Sequence, residues 1–168
     1  MPQLVHINEK EWTDALSQNG AAWLDYLCGQ MVRACGGALT AESMASLTTG
    51  QITVYVYKVF RDEMLEGGFC QLIQNGYGPF VFENPFAQVL RLWGMKDLHK
   101  IIGKANAIYR KNKADLTRER TEDEFMAMYE TYEAFDKWED DYVENEEAYT
   151  DAMKHYVTGH PGEFYVLE

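Results

Sequence analysis

No stretch of the 168-residue chain approaches the roughly 18 uninterrupted apolar residues that a membrane-spanning helix needs. Its start, MPQLVHINEKEW, also lacks a basic segment followed by an apolar one. Cysteine is scarce: Cys28, Cys35 and Cys70 make an odd number without CxxC spacing, which argues against a disulfide framework and a zinc site. The four histidines, His6, His99, His155 and His160, form no HExxH, and GxSxG, P-loop and GxGxxG patterns are missing. These absences predict a cytoplasmic, non-membrane protein with no cofactor, no metal and no assignable catalytic residue.

What the chain does have is apolar mass. With 46% hydrophobic and 14% aromatic residues it reads as a folded globule, since a disordered acidic chain would be poor in aromatics. Its length suits a single domain over 1–168 that buries about 70% of the unfolded surface.

Charge is strongly segregated. Residues 119–168 hold sixteen Asp/Glu and three Lys/Arg, a net of 3 − 16 = −13. Residues 1–118 hold eleven acids and twelve bases, a net of 12 − 11 = +1. Within that near-neutral part, residues 91–120 carry nine bases against three acids. The total of −12 opposes direct nucleic-acid binding, which rests on neutralising phosphates.

Periodicity and caps predict an all-α fold of about seven to nine helices. Asn8 and Glu11 form a capping-box pattern, and AAWLDYLCGQMVRAC should end at Gly36-Gly37. QITVYVYKVFRDEML has strand-like composition, yet its length and the spacing of Ile52, Val56, Val59 and Phe60 favour a buried helix. FCQLIQN reads as a short helix, YGPFVFENP as a loop, and Asn84-Pro85 as a cap followed by the first helical position. DLHKIIGKANAIYRKN is a further helix, KADLTRER a linker, and Thr121 with Glu124 a second capping box. Phe125, Met128, Tyr132, Phe135 and Tyr142 make one apolar stripe, a break is expected near 143–145, and the tail should pack back through Phe164 and Tyr165.

The run FDKWEDDYVENEE, residues 135–147, is the most distinctive stretch. Asp136, Asp140, Glu144 and Glu147 fall at positions 1, 5, 9 and 12 of a calcium loop, but Trp138 at position 3 and Asp141 at position 6 break that register. As a helix, Glu133, Asp136, Asp140, Glu144, Glu147 and Asp151 share one stripe, with about 5.4 Å between charges. DNA carries one charge per about 3.4 Å on each strand, so matching it needs the neighbouring Glu130, Glu139, Asp141 and Glu146, and a second subunit. The implied partner of these ten carboxylates is a basic protein, in the sharper reading a DNA-binding one.

Residues 63–75, EMLEGGFCQLIQN, resemble the motif of a bacterial DNA-mimic protein family: E, two or three residues, NGGF, any residue, Q, then N. The resemblance continues through LRLWG, DLHKIIGKANAIY, FDKWEDDY and HYVTGHPGEF, over about residues 45–165. Glu63, Gly67, Gly68, Phe69, Gln71 and Asn75 match, while Glu66 stands where the family has asparagine. The motif residues read as structural, with Gly67 left-handed and Phe69 in the core. The resemblance implies an all-α fold, a homodimer, and an acidic surface that occupies a DNA-binding protein in place of DNA. Two alternatives stand beside it: a small-ligand binder or enzyme with its pocket at EGGFCQ, and a structural or immunity-type binding module.

Overall fold

A computed structural model describes residues 5–168, and among these the chain is all-α except for one two-stranded ladder. Eight α-helices have seven or more residues, and two are shorter, α3 (Ala41–Met44) and α6 (Gly78–Phe82). The chain divides into two compact units, one formed by residues up to Lys58 with Glu147–Glu168, the other by Val59–Glu146. The helices α4 (Thr49–Glu66) and α10 (Asp136–Gly159) each run through both.

The first unit brings the two ends of the chain together. Strand β1 (Val5–Ile7) pairs in parallel with β2 (Tyr165–Leu167), Val5 opposite Tyr165. Neither strand was expected, because three residues give almost no alternation to detect and the partner lies at the other end of the sequence. The expected burial of the tail does occur, Phe164 and Tyr165 being buried. Helix α1 (Glu9–Ser17) starts where the Asn8 side chain accepts the Glu11 N–H at 2.9 Å. Helix α2 (Ala22–Ala34) buries Trp23, Leu24, Leu27 and Met31. Gln51 in α4 donates to the Phe164 carbonyl at 2.6 Å, and Tyr57 meets Thr150 at 2.8 Å. The strand-like composition of α4 is thus resolved as a helix, with Val54, Val56, Tyr57 and Phe60 buried.

The second unit is built on rings. Phe60 meets Tyr142 edge-on at 4.8 Å, Phe69 stacks on Phe135 at 5.2 Å, and Phe82 stacks on Tyr109 at 4.7 Å. Its remaining helices are α5 (Gly68–Gln74), α7 (Phe86–Leu92), α8 (Lys96–Thr117) and α9 (Glu122–Thr131). Residues 78–82, expected as a loop, form α6, with Pro79 accommodated in the first turn, where no amide donor is needed. Asn84 accepts from the Phe86 N–H at 2.8 Å, so Pro85 sits at the cap, one residue before the helix. Most of the expected linker KADLTRER instead extends α8 to Thr117, past a kink at Asn112.

The expected break at 143–145 is replaced by one at Tyr132, before a 3-10 turn at Glu133–Phe135. There the Tyr132 hydroxyl hydrogen-bonds Asp115, which also takes Arg118 Nε at 3.0 Å and Arg120 at 2.8 Å. Arg118 further donates to Glu124 at 2.8 Å, tying the end of α8 to the start of α9.

The glycine motif forms the junction of α4 and α5. Gly68, not Gly67, takes the left-handed conformation, with φ +82° against −151°. A Cβ on Gly68 would run into the Glu139 carboxylate, and one on Gly67 into Gln71. Glu139 accepts the Phe69 N–H at 2.8 Å, capping α5 from a position seventy residues away, where Gly67 has no side chain to do so. Gln71 and Asn75 both donate to Glu63 Oε2 at 2.9 Å, and Tyr129 donates to the Gly67 carbonyl at 2.9 Å.

Gly68→Ala is expected to lower the unfolding free energy by at least the left-handed penalty of about 1–2 kcal/mol in urea titration. Glu139→Ala should cost about 1–3 kcal/mol through the orphaned amide. Burial holds the Glu139 carboxyl above the usual range, so its charge penalty is absent at low pH and grows as pH rises through that raised value. Glu139→Gln, which keeps an acceptor, should therefore match or exceed the parent in melting temperature at pH 7. A Gln variant as unstable as the Ala variant would refute this capping role.

The Asp115 cluster predicts two pH limbs. The Tyr132 hydroxyl, then Arg118 and Arg120, hold the Asp115 carboxyl down to about 2, and burial followed by the Asp115 hydrogen bond pushes Tyr132 up to about 12. The depressed acid stabilises above its unfolded value of about 3.9 and loses that contribution as pH falls toward 2. The raised phenol stabilises below about 10 and loses its share as pH climbs toward 12. Melting temperature against pH should show both limbs; Asp115→Asn should remove the acid limb and reduce the alkaline one only by the share the Asp115 hydrogen bond contributes, the share due to Tyr132 burial remaining.

Candidate partner-binding surface

The ten carboxylates singled out in the sequence separate by helical phase. Glu130, Glu133, Asp136, Asp140, Glu144, Glu147 and Asp151 are exposed. Asp141 is half-buried. Glu139 is also half-buried and committed to Phe69, and Glu146 is buried and paired with Arg61. The last two acids thus act inside the fold. A signal for them was present: Glu146 shares its face with Tyr142, Thr150, Met153 and Val157, and Glu139 falls within about 60° of Tyr142 in phase.

On α10 itself, Asp136, Asp140, Glu144, Glu147 and Asp151 recur every three or four residues. They cover fifteen residue steps, about 22 Å, at about 5.6 Å per charge. Asp151 lies 3.3 Å from His155, whereas the other six exposed acids enter no ion pair among the described residues. Lys137, the one cation in the run, lies over the Trp138 ring at 4.7 Å. From Asp136 the run is continuous helix, so Asp136, Asp140, Glu144 and Glu147 face outward along it and do not converge as loop ligands would.

The EGGFCQ region offers a different surface. Glu66 is exposed and borders an open depression of about 470 Å³ with Gln71, Asn75 and Phe125. The amide donors of Gln71 and Asn75 are already spent on Glu63. Burial, followed by the nearby Glu139, pushes the Cys70 thiol up to about 12, which leaves no thiolate to act as a nucleophile at neutral pH. Cys28 and Cys70 are buried, and Cys35 is half-buried. No helix of the described residues is long and apolar enough to cross a membrane.

The DNA mimic protein DMP19 of Neisseria meningitidis serogroup B (strain ATCC BAA-335 / MC58) is 33% identical over 106 residues, 61% of this chain and 63% of that protein. The aligned part thus spans less than two thirds of that relative's length. The DMP19-like protein family matches residues 45–160, a stretch holding α4, the glycine junction, α8 and the whole of α10. With well over half its residues matched, and the helices that carry both the junction and the acidic rod included, the chain belongs to the DMP19-like protein family.

Proposed function

We propose that this protein is a non-enzymatic, cytoplasmic interaction protein that presents the acidic face of α10 to a basic DNA-binding protein in place of DNA. The observation that carries the reading is the row of outward carboxylates at Asp136, Asp140, Glu144, Glu147 and Asp151, left uncommitted by the fold except where His155 meets Asp151. A relative described as a DNA mimic supports it. At about 5.6 Å per charge the row is sparser than a DNA strand at about 3.4 Å, so a second copy supplies further charge in a homodimer. Recognition by such a face is fast and salt-sensitive, because long-range attraction acts before contact.

The pocket reading is weaker on chemical grounds. A small-molecule site encloses most of its ligand, whereas the depression beside Gln71 and Asn75 is open and its amide donors are already used.

Reversal of four exposed acids, Asp136→Lys, Asp140→Lys, Glu144→Lys and Glu147→Lys, tests the proposal. Affinity-captured DNA-binding proteins should fall by about 100-fold, and a DNA duplex should displace them from the unaltered chain. The melting temperature should stay within a few degrees, since none of the four side chains is buried. Capture that survives both the reversal and DNA competition would overturn the reading.

A further inference from the structure

We propose a second interaction surface, a lysine ridge on α8 that binds the sugar-phosphate backbone of nucleic acid without reading its sequence. Of the nine bases in residues 91–120, three are engaged: Lys113 pairs with Glu83, and Arg118 and Arg120 pair with Asp115. The other six, Arg91, Lys96, Lys100, Lys104, Arg110 and Lys111, are exposed and enter no ion pair among the described residues. Lys96, Lys100, Lys104 and Lys111 fall within about 80° of the helix circumference over fifteen residue steps, about 22 Å. The kink at Asn112 comes after them, so the ridge is straight. Between them the same face carries Gly103 and Ala107, both exposed, and space above Gly103 is open, which lets a bulky backbone approach.

The chain's total of −12 does not decide the sign that a ligand meets there. Helices α5, α6 and α7 pack on α8 and contain no Asp or Glu, whereas the 3-10 turn Glu133–Phe135, which also packs on it, brings Glu133, and α8 itself carries the exposed Asp97. Residues 67–111 hold six bases and two acids, a local net of 6 − 2 = +4, and one of those acids, Glu83, is neutralised by Lys113. At physiological salt, charges more than about 8 Å away are largely screened.

Charge density separates nucleic acid from a second copy of this chain as the occupant. A duplex presents one charge per about 1.7 Å, against about 5.6 Å along α10, and only the duplex carries condensed counterions whose release drives binding. Lone surface ion pairs between copies contribute little. The ridge shares no residue with the acidic face, so each can be reversed separately.

Fluorescence anisotropy of the full chain on a labelled 20-base-pair duplex, across 50–200 mM salt, reads this directly. Binding should be sequence-independent, with a dissociation constant of roughly 10⁻⁶–10⁻⁴ M and a log–log salt slope of about −3 to −4 for four neutralised phosphates. Lys100→Glu with Lys104→Glu should weaken it at least tenfold and flatten the slope by about two, with an unchanged circular dichroism spectrum. Asp136→Lys with Asp140→Lys should leave duplex binding intact or stronger, which separates this surface from the partner-binding one. No binding at 50 mM salt, or binding indifferent to the ridge reversal, overturns the proposal. So does self-association in sedimentation that the ridge reversal abolishes while the duplex goes unbound.

Discussion

Glu139 accepting the Phe69 amide is the contact on which the second unit turns. Phe69 sits at the start of α5, where the amides lack intrahelical acceptors and the preceding glycine has no side chain to cap them. A carboxylate from α10 fills that place, and its approach leaves no room for a Cβ at Gly68. With the backbone held so, the Phe69 ring stacks on Phe135 one turn before Glu139, while Gln71 and Asn75 close over Glu63. The EGGF motif and the acidic helix are therefore one structural device. Burying part of a carboxylate is costly, as the raised Glu139 titration indicates, and the amide hydrogen bond offsets that cost only in part.

The same constraint sorts the acids. A helix packed along one side must direct every third or fourth residue inward, so a sequence with carboxylates on all sides will bury some of them. Glu146 meets this by pairing with Arg61, and Glu139 by capping α5. What remains outward is the row from Asp136 to Asp151. The acidic face is what is left once packing has taken its share.

Much of this was legible in advance. Helix caps at Asn8 and Thr121 form as their side chains dictate, since each cap is a local contact between neighbours in sequence. The phase of α10 was readable too, and extended through Tyr142, Thr150 and Val157 it would have marked Glu146 as inward. Other features depend on contacts that no local window contains. The β1–β2 ladder joins the two chain ends, Gly68 is chosen over Gly67 by a carboxylate seventy residues on, and Tyr132 breaks its helix where Asp115 takes its hydroxyl. Proline suggested a loop at 78–82, yet a first-turn proline is compatible with helix, and the burial of Val81 and Phe82 favours one.

Charge segregation gives the fold its functional direction. Had the sixteen acids and three bases of residues 119–168 been mixed with the eight bases of residues 91–118, the surface would carry short ion pairs and little field. Mixing is densest instead at the α8–α9 turn, where Asp115, Arg118, Arg120 and Glu124 form a network. That network consumes two bases at the boundary, Lys113 pairs with Glu83 and Glu146 of α10 pairs with Arg61, so the groups that enter no ion pair among the described residues are the exposed Lys96, Lys100, Lys104 and Lys111 of α8 and the exposed Asp136, Asp140, Glu144 and Glu147 of α10. Two exposed rows of opposite sign remain, each about 22 Å along its helix, so a ligand of either sign meets one surface that attracts it and another that repels it.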